Sequence, residues 1–376
     1  MGHDRPHWSS VNVRIIWKEA VLSDRAMERI NIAVIGAGYW GRKVISEILG
    51  LSRDGFNLGL RAVVDSSPDA IEYCRREFGH LDYRSDYHDL LSDPKVSAVH
   101  ICSPNNTHFQ IASEFIRRGK HVLVEKPLAA NSADAFELVR LAREHGRVLC
   151  TGHVHRFNNG VRALRRLMTS GVLGDLYYLH LKWTGLLASQ SNREVISDLG
   201  PHPFDICNNL LDTWPRKVSC RGRGFRTNAG YEMANIYSEH PSGLDACIEL
   251  SWLDMEKHRD VSVVGSDGAA RLDCIDQRLI LQRKGGAEPV LVLPNNTLRE
   301  EVLHFASCIE HNPSPEPYQN IASGTLGASV VRLLEASKRS LEEDRTIRVE
   351  MPHLEDSSIR EQVIGLRPEQ PSVRGA

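Results

Sequence analysis

The chain has 376 residues, 41% of them hydrophobic, and a formal net charge of -2. That length exceeds one comfortable core and suits two domains, while the balanced charge excludes wholesale attraction to nucleic acid or an anionic membrane. No uncharged apolar run approaches the roughly 18 residues of a spanning helix, and the N-terminus MGHDRPHWSSVNVRIIWKEA is too charged for a secretory signal.

Residues 1–26 show no period and read as an extension ahead of Met27. From Ile30 to about Gly152, short apolar runs alternate with amphipathic stretches: INIAVI, then a helix over Trp40 to Leu51; LGLRAVV, then Pro68 to Phe78; VSAVHIC, then Thr107 to Arg118; KHVLVE, then Ser132 to His145; and RVLCTG. Apolar strands buried on both faces with helices between them predict an α/β domain with a doubly wound parallel sheet over residues 27–152. A helix over Asn158 to Thr169 opens the second region, residues 153–350. There DLYYLHLKWTG, KVSCRGRGF, LDACIELSW, DVSVVGS, AARLDCI and PVLVLP alternate as strands of a largely antiparallel sheet, before helices over Leu298 to Glu310 and Ile321 to Leu341. Residues 351–376 form a charged, proline-containing tail with no assigned structure. Eight cysteines without any C-x-x-C fit reduced thiols, hence a cytoplasmic protein, and the balanced charge leaves a small molecule or another protein as the expected partner.

The stretch NIAVIGAGYWGRKV places Gly36, Gly38 and Gly41 at the first strand-to-helix turn in the spacing G-x-G-x-x-G. The first glycine permits the tight turn, the second admits a pyrophosphate to the backbone, and the third lets helix pack on strand. The N-terminus of the helix that follows supplies unpaired N–H groups and a positive dipole end. Asp65 ends the second strand 24 residues beyond Gly41. A carboxylate there accepts from ribose hydroxyls and repels a 2′-phosphate, which favours NAD over NADP. Its plainer reading is a helix cap in VDSSPDA, a role Ser66 or Ser67 fills equally well ahead of Pro68.

Three further stretches narrow the chemistry: SPNNTHF with Ser103, Asn105 and His108; HVLVEKPLA with Glu125, Lys126 and Pro127; and VISDLGPHPFDI with Asp198, His202 and Asp205. With the glycine turn, and in this order, they resemble the glucose-fructose oxidoreductase and inositol dehydrogenase family, Gfo/Idh/MocA, from about Ile30 to Val349. The resemblance implies an N-terminal Rossmann domain, a C-terminal α/β domain with an open sheet, and a cleft site where a sugar or polyol carbon exchanges a hydride with NAD(P). Cofactor contacts are then expected from Gly36, Gly38, Tyr39, Trp40, Gly41, Asp65, Ser103, Asn105, His108, Glu125 and Lys126. The family's catalytic roles fall on Lys126, Asp198 and His202.

Those roles make chemical sense. Oxidising a secondary alcohol requires a base, a positive group for the developing alkoxide and a positioned carbon. An imidazole suits the base, so His202 is expected to take the hydroxyl proton, with Asp198 orienting its ring. Lys126, at a strand's C-terminal end, sits where ligands of open α/β sheets collect, and an unusual peptide geometry at Pro127 is expected to aim it. The plainer readings are a capping Asp198, a solvated Lys126 and a surface pair of His202 with Asp205. His153 and His155 read as alternating on a strand, and with Asp198 and His202 they imitate a metal set. No recognised ligand spacing is present, so no metal is expected.

The segment GHVHRFNNGVRALRRLMTSGVLGDLYYLHLKWTG is similar to the UDP-N-acetylglucosamine 3-dehydrogenase branch, departing from it at His155 and at Asn159-Gly160. Two phosphates and a uracil call for basic and amide groups, so Arg156, Asn158 and Arg193 are expected, with Asp198 and His202, to bind substrate; alternatively the arginines only solvate their segments. The expectation is NAD-dependent oxidation of a ring hydroxyl of a UDP-linked N-acetylhexosamine, by a homodimer or homotetramer joined through the C-terminal sheet. A free polyol such as an inositol is the alternative substrate, and a non-catalytic dinucleotide-binding regulator is the alternative of another class.

Overall fold

A computed structural model describes residues 28–188, 194–226, 230–312 and 319–351. The first part carries strands β1 (Ile30–Ile35), β2 (Leu58–Val64), β3 (Tyr83–Arg84), β4 (Ala98–Ile101), β5 (His121–Val124) and β6 (Leu149–Thr151). Between them run α1 (Tyr39–Arg53), α2 (Pro68–Phe78), α3 (His88–Leu91), α4 (His108–Arg117) and α5 (Ser132–Glu144). All six strands pair in parallel in the order β3-β2-β1-β4-β5-β6, the doubly wound arrangement that places ligands at the C-terminal strand ends. β4 and β5 are buried along their whole length because helices cover both sheet faces. Pro68 opens α2, and Ser67 caps it by accepting from the Ala70 N–H at 3.3 Å. Asp65 is therefore left for another role.

The second part contains α6 (Asn159–Thr169), β7 (Leu176–Leu186), α7 (Val195–Leu199), α8 (Pro201–Leu211), β8 (Lys217–Arg223), β9 (Met233–Glu239), β10 (Asp245–Ser251), β11 (Leu253–Gly265), β12 (Ala269–Asp273), β13 (Arg278–Arg283) and β14 (Gly286–Val290). Helices α9 (Thr297–Glu310) and α10 (Gly324–Glu343) and the short β15 (Ile347–Arg348) complete it. The nine strands are ordered β14-β13-β12-β11-β7-β10-β9-β8-β15. Every pairing is antiparallel except β7 with β10. One face buries Leu179, Leu181, Trp183, Ile248 and Val261 against residues of α6, α8 and α10; the other leaves Tyr178 and His180 beside a shallow depression.

The two parts share their cores. α9 places Leu298, Val302, Phe305 and Ala306 in one cluster with Ile32, Val34 and Ile48 of the first sheet and α1. Ala328 and Val331 of α10 join the cluster of β4, β5 and α5. One expectation fails locally: Val154–Phe157 is a single 3-10 turn, so His153 and His155 do not alternate on a strand. Among the described residues no helix is long and apolar enough to cross a membrane.

Candidate active site

The glycine turn has the shape its spacing demands. Gly36 adopts φ +99°, and a Cβ there would lie 2.7 Å from the Cys102 and Ser103 backbone. A Cβ on Gly41 would meet the Gly36 carbonyl oxygen at 1.9 Å, whereas one on Gly38 would meet nothing within 4 Å. The first and third glycines thus permit close packing, and the second faces open space. No side chain caps α1 and no acid sits in its first turn, so a phosphate finds helix N–H groups without a competing carboxylate. Asp65 accepts from the Ala37 N–H at 2.7 Å and from the Ser67 N–H at 2.8 Å, holding the end of β2 against this turn. These residues fit a dinucleotide: the turn for its pyrophosphate, Asp65 for a ribose.

Beside the turn opens a cleft of about 440 Å³. Tyr39, Trp40, Ser103, Asn105, His108, Glu125 and Lys126 wall it from the first part of the chain; Asp198, His202 and Arg259 wall it from the second. Glu125 is nearly buried and accepts from Trp40 Nε1 at 2.5 Å, with His100 Nε2 at 3.1 Å from the same oxygen. His100 and Glu125 so joined lie close to Cys102, the ligand atoms of all three within 4.8 Å of one another. His108 is buried with one ring nitrogen 2.9 Å from the Pro127 carbonyl oxygen and the other 2.9 Å from that of Ser103. It ties the SPNNTH turn to the EKP turn, where the Lys126–Pro127 peptide is cis.

Lys126 Nζ donates to the Asp198 backbone carbonyl at 2.7 Å and lies 3.5 Å from that residue's carboxylate. The other carboxylate oxygen accepts from Trp252 Nε1 at 3.2 Å. Asp198 therefore engages Lys126 and Trp252 instead of orienting His202 as expected, and it lies inside α7 instead of capping α8. His202, in the first turn of α8, is held by rings. It meets His155 edge-on, with centroids 5.1 Å apart, and His155 in turn meets Trp183 edge-on at 5.3 Å. Burial, and after it the charge of Lys126, pushes the His202 pKa well below the ordinary histidine range. Its Nδ1 is sealed without a partner, so Nε2 is the nitrogen that the cleft reaches.

Two expected substrate residues lie elsewhere. Arg156 is buried, with Nε 2.5 Å from Asp205 and Nη2 2.5 Å from Asn208. Asn158 is buried, caps α6 at the Val161 N–H and donates to the Cys274 carbonyl. Both are spent on holding the second part together, and neither lines the cleft. Asp205 consequently pairs with Arg156 and makes no surface pair with His202. Arg193 lies outside the described residues. Arg259 was not anticipated: its setting EKHRD reads as a solvated charge run, yet β11 carries it into the cleft.

A parallel doubly wound sheet, a glycine turn open at Gly38, and a lysine and a histidine in one cleft beside it define a Rossmann-fold oxidoreductase. The chain belongs to the Gfo/Idh/MocA family: residues 30–153 match the model for the oxidoreductase family with NAD-binding Rossmann fold, and residues 161–271 match that for the GFO/IDH/MocA C-terminal domain. It is 26% identical over 280 residues to a 2,7-anhydro-N-acetylneuraminate hydratase of Mediterraneibacter gnavus, covering 71% of this chain and 73% of that protein. It is 24% identical over 336 residues to the myo-inositol 2-dehydrogenase of Thermotoga maritima, covering 85% and 99%. Among solved structures, the UDP-N-acetylglucosamine 3-dehydrogenase of Acidithiobacillus ferrooxidans shares the fold at TM-score 0.73 and 24% identity, over 84% of this chain and 99% of that one.

Proposed function

We propose that the protein oxidises a ring hydroxyl of a sugar to the ketone, with NAD as partner. The observation that carries this reading is the meeting of Lys126 and His202 in one cleft beside the glycine turn. NAD, when bound, supplies the acceptor for the carbon's hydride; Gly36, Gly38, Gly41 and Asp65 would hold it, together with Tyr39, Trp40, Ser103, Asn105, His108 and Glu125 of the same turn and cleft. His202 accepts the hydroxyl proton at Nε2, a role its low pKa leaves open at neutral pH. Lys126, anchored by Asp198, stabilises the alkoxide through its ammonium.

Among sugars we place a UDP-linked N-acetylhexosamine first, supported by the shared fold of the UDP-N-acetylglucosamine enzyme. A free polyol is second, supported by the inositol dehydrogenase relative. A panel of nucleotide sugars, free sugars and polyols, followed by the absorbance of reduced cofactor, separates them. Reduction of NAD by polyols alone selects the second reading; reduction by no member of the panel leaves a dinucleotide-binding regulator. Eight free cysteines suit the cytoplasm. The open sheet face around Tyr178 and His180 supports a homodimer or homotetramer, which light scattering measures.

A further inference from the structure

The cleft holds a cation that the proposed chemistry does not use. Arg259, on β11, lines the same cavity as Lys126 and His202. Its Nη1 donates to the backbone carbonyls of Thr184 at 2.7 Å and His258 at 2.6 Å. The guanidinium carbon lies 5.9 Å from the Trp183 ring centroid. Backbone carbonyls and a ring thus fix one end of the group. Among the described residues Nε and Nη2 have no partner, and neither is sealed from solvent.

Charge balance sharpens the point. Among the described residues, Arg156 pairs with Asp205, Arg226 with Glu232 and Arg61 with Asp82 and Asp93, whereas Arg259 pairs with no carboxylate. The acids around it are already engaged: Asp198 by Lys126 and Trp252, Glu125 by Trp40 and His100. Burial costs this guanidinium desolvation free energy that the charge of Asp198, already engaged by Lys126, offsets only in part. Its free Nε and Nη2 edge is the one that grips a planar oxyanion with two parallel hydrogen bonds.

We infer that Arg259 is the anion-recognition residue of the cleft and that the sugar oxidised there carries an oxyanion, a carboxylate or a phosphate. This rests on the sugar-oxidation reading, and it disfavours neutral polyols. Hydrogen bonds to a charged group of this kind correspond to about 10- to 100-fold in affinity.

The test measures binding without requiring turnover: calorimetric titration of the NAD-loaded protein with D-glucuronate, UDP-N-acetylglucosamine and D-glucose. At least one anionic probe should bind 10-fold or more tighter than glucose, by the same charge-assisted estimate of roughly 10- to 100-fold. A preference for glucuronate alone identifies a carboxylate, and one for the nucleotide sugar alone a phosphate. Arg259→Gln should collapse the preference to about twofold, and Arg259→Lys should keep an intermediate part of it, since charge survives without the fork. Equal binding of all probes by the unaltered protein, failure of both anionic probes to bind, or a preference that survives Arg259→Gln overturns the inference. Cofactor titration of each variant verifies that it has folded. Anion preference without reduced cofactor from any sugar sinks the dehydrogenase reading and spares the anion site.

Discussion

Lys126 and Asp198 stand 72 positions apart, yet the ammonium of one donates to the backbone carbonyl of the other at 2.7 Å. The strand end that delivers Lys126 belongs to the first sheet, and α7, which carries Asp198, belongs to the second part. The geometry of the candidate site therefore depends on how the two parts meet. Lys126→Met and His202→Asn should each lower turnover by roughly 10²- to 10⁴-fold, as for loss of a positioned acid–base group. Their combination should cost far less than the product, because groups acting on one transfer are not additive. Steady-state kinetics of the three variants checks this; full multiplicativity would mean the two side chains serve different steps.

The acid limb of activity should report His202. Its folded pKa is depressed, first by burial and then by Lys126, His155, Arg259 and His153, so the proton-accepting form persists below pH ~6.5, the ordinary histidine value. Rate should stay level through neutrality and fall only at lower pH. Removing the Lys126 charge removes one cause of the depression, so in Lys126→Met the limb should move to higher pH. The pH dependence of kcat/KM in both proteins measures it, and an unmoved limb would assign the titration to another group.

Asp65 should make the protein bind NAD at least tenfold tighter than NADP, an order of magnitude set by the repulsion between its carboxylate and a 2′-phosphate. Asp65→Ser should narrow the gap. Arg42, stacked on Tyr73 at 4.0 Å on the neighbouring helices, is then available to the extra phosphate. Fluorescence titration with both cofactors decides it.

Glu301 of α9 is buried with neither carboxylate oxygen bonded. Burial raises its pKa well above the usual carboxylate range, and Glu125 and Asp205 push the same way. The folded protein holds this proton more tightly than the unfolded chain, so its stabilising contribution is complete below the unfolded pKa and is lost as pH rises through the folded one. Glu301→Gln, which mimics the protonated acid, should gain on wild type by about 1.4 kcal/mol per pH unit across that window. Urea denaturation at pH 5 and at pH 8 tests the sign; an equal difference at both pH values would remove the titration.

Local spacing made much of this legible. The three glycines, the alternating runs and Pro68 are signals within a few residues of their consequence, and the structure puts helix and strand where those signals lie. The site was legible where it sits on strand ends and helix starts, as Lys126 and His202 do. It was not legible where a partner lies far along the chain. Arg156 meets Asp205 49 positions away, and nothing within the motif RFNN tells a buried pair from a cleft-facing cation. The same blindness hid Arg259, because a charge run on a strand looks solvated until neighbouring strands are placed beside it.

The first sheet is finished by the end of the chain. Its flank is closed by Leu298, Val302 and Phe305 of α9 and by Ala328 and Val331 of α10. The Thr151 N–H of β6 donates to the Ala322 carbonyl at 2.8 Å, and Glu335 accepts from the Ser132 N–H at 2.7 Å. Until α9 and α10 have been translated, a nascent chain lacks the apolar residues that seal this side of the cofactor domain. A stop codon placed after β14 should therefore yield a product that aggregates even though every glycine of the dinucleotide turn is present.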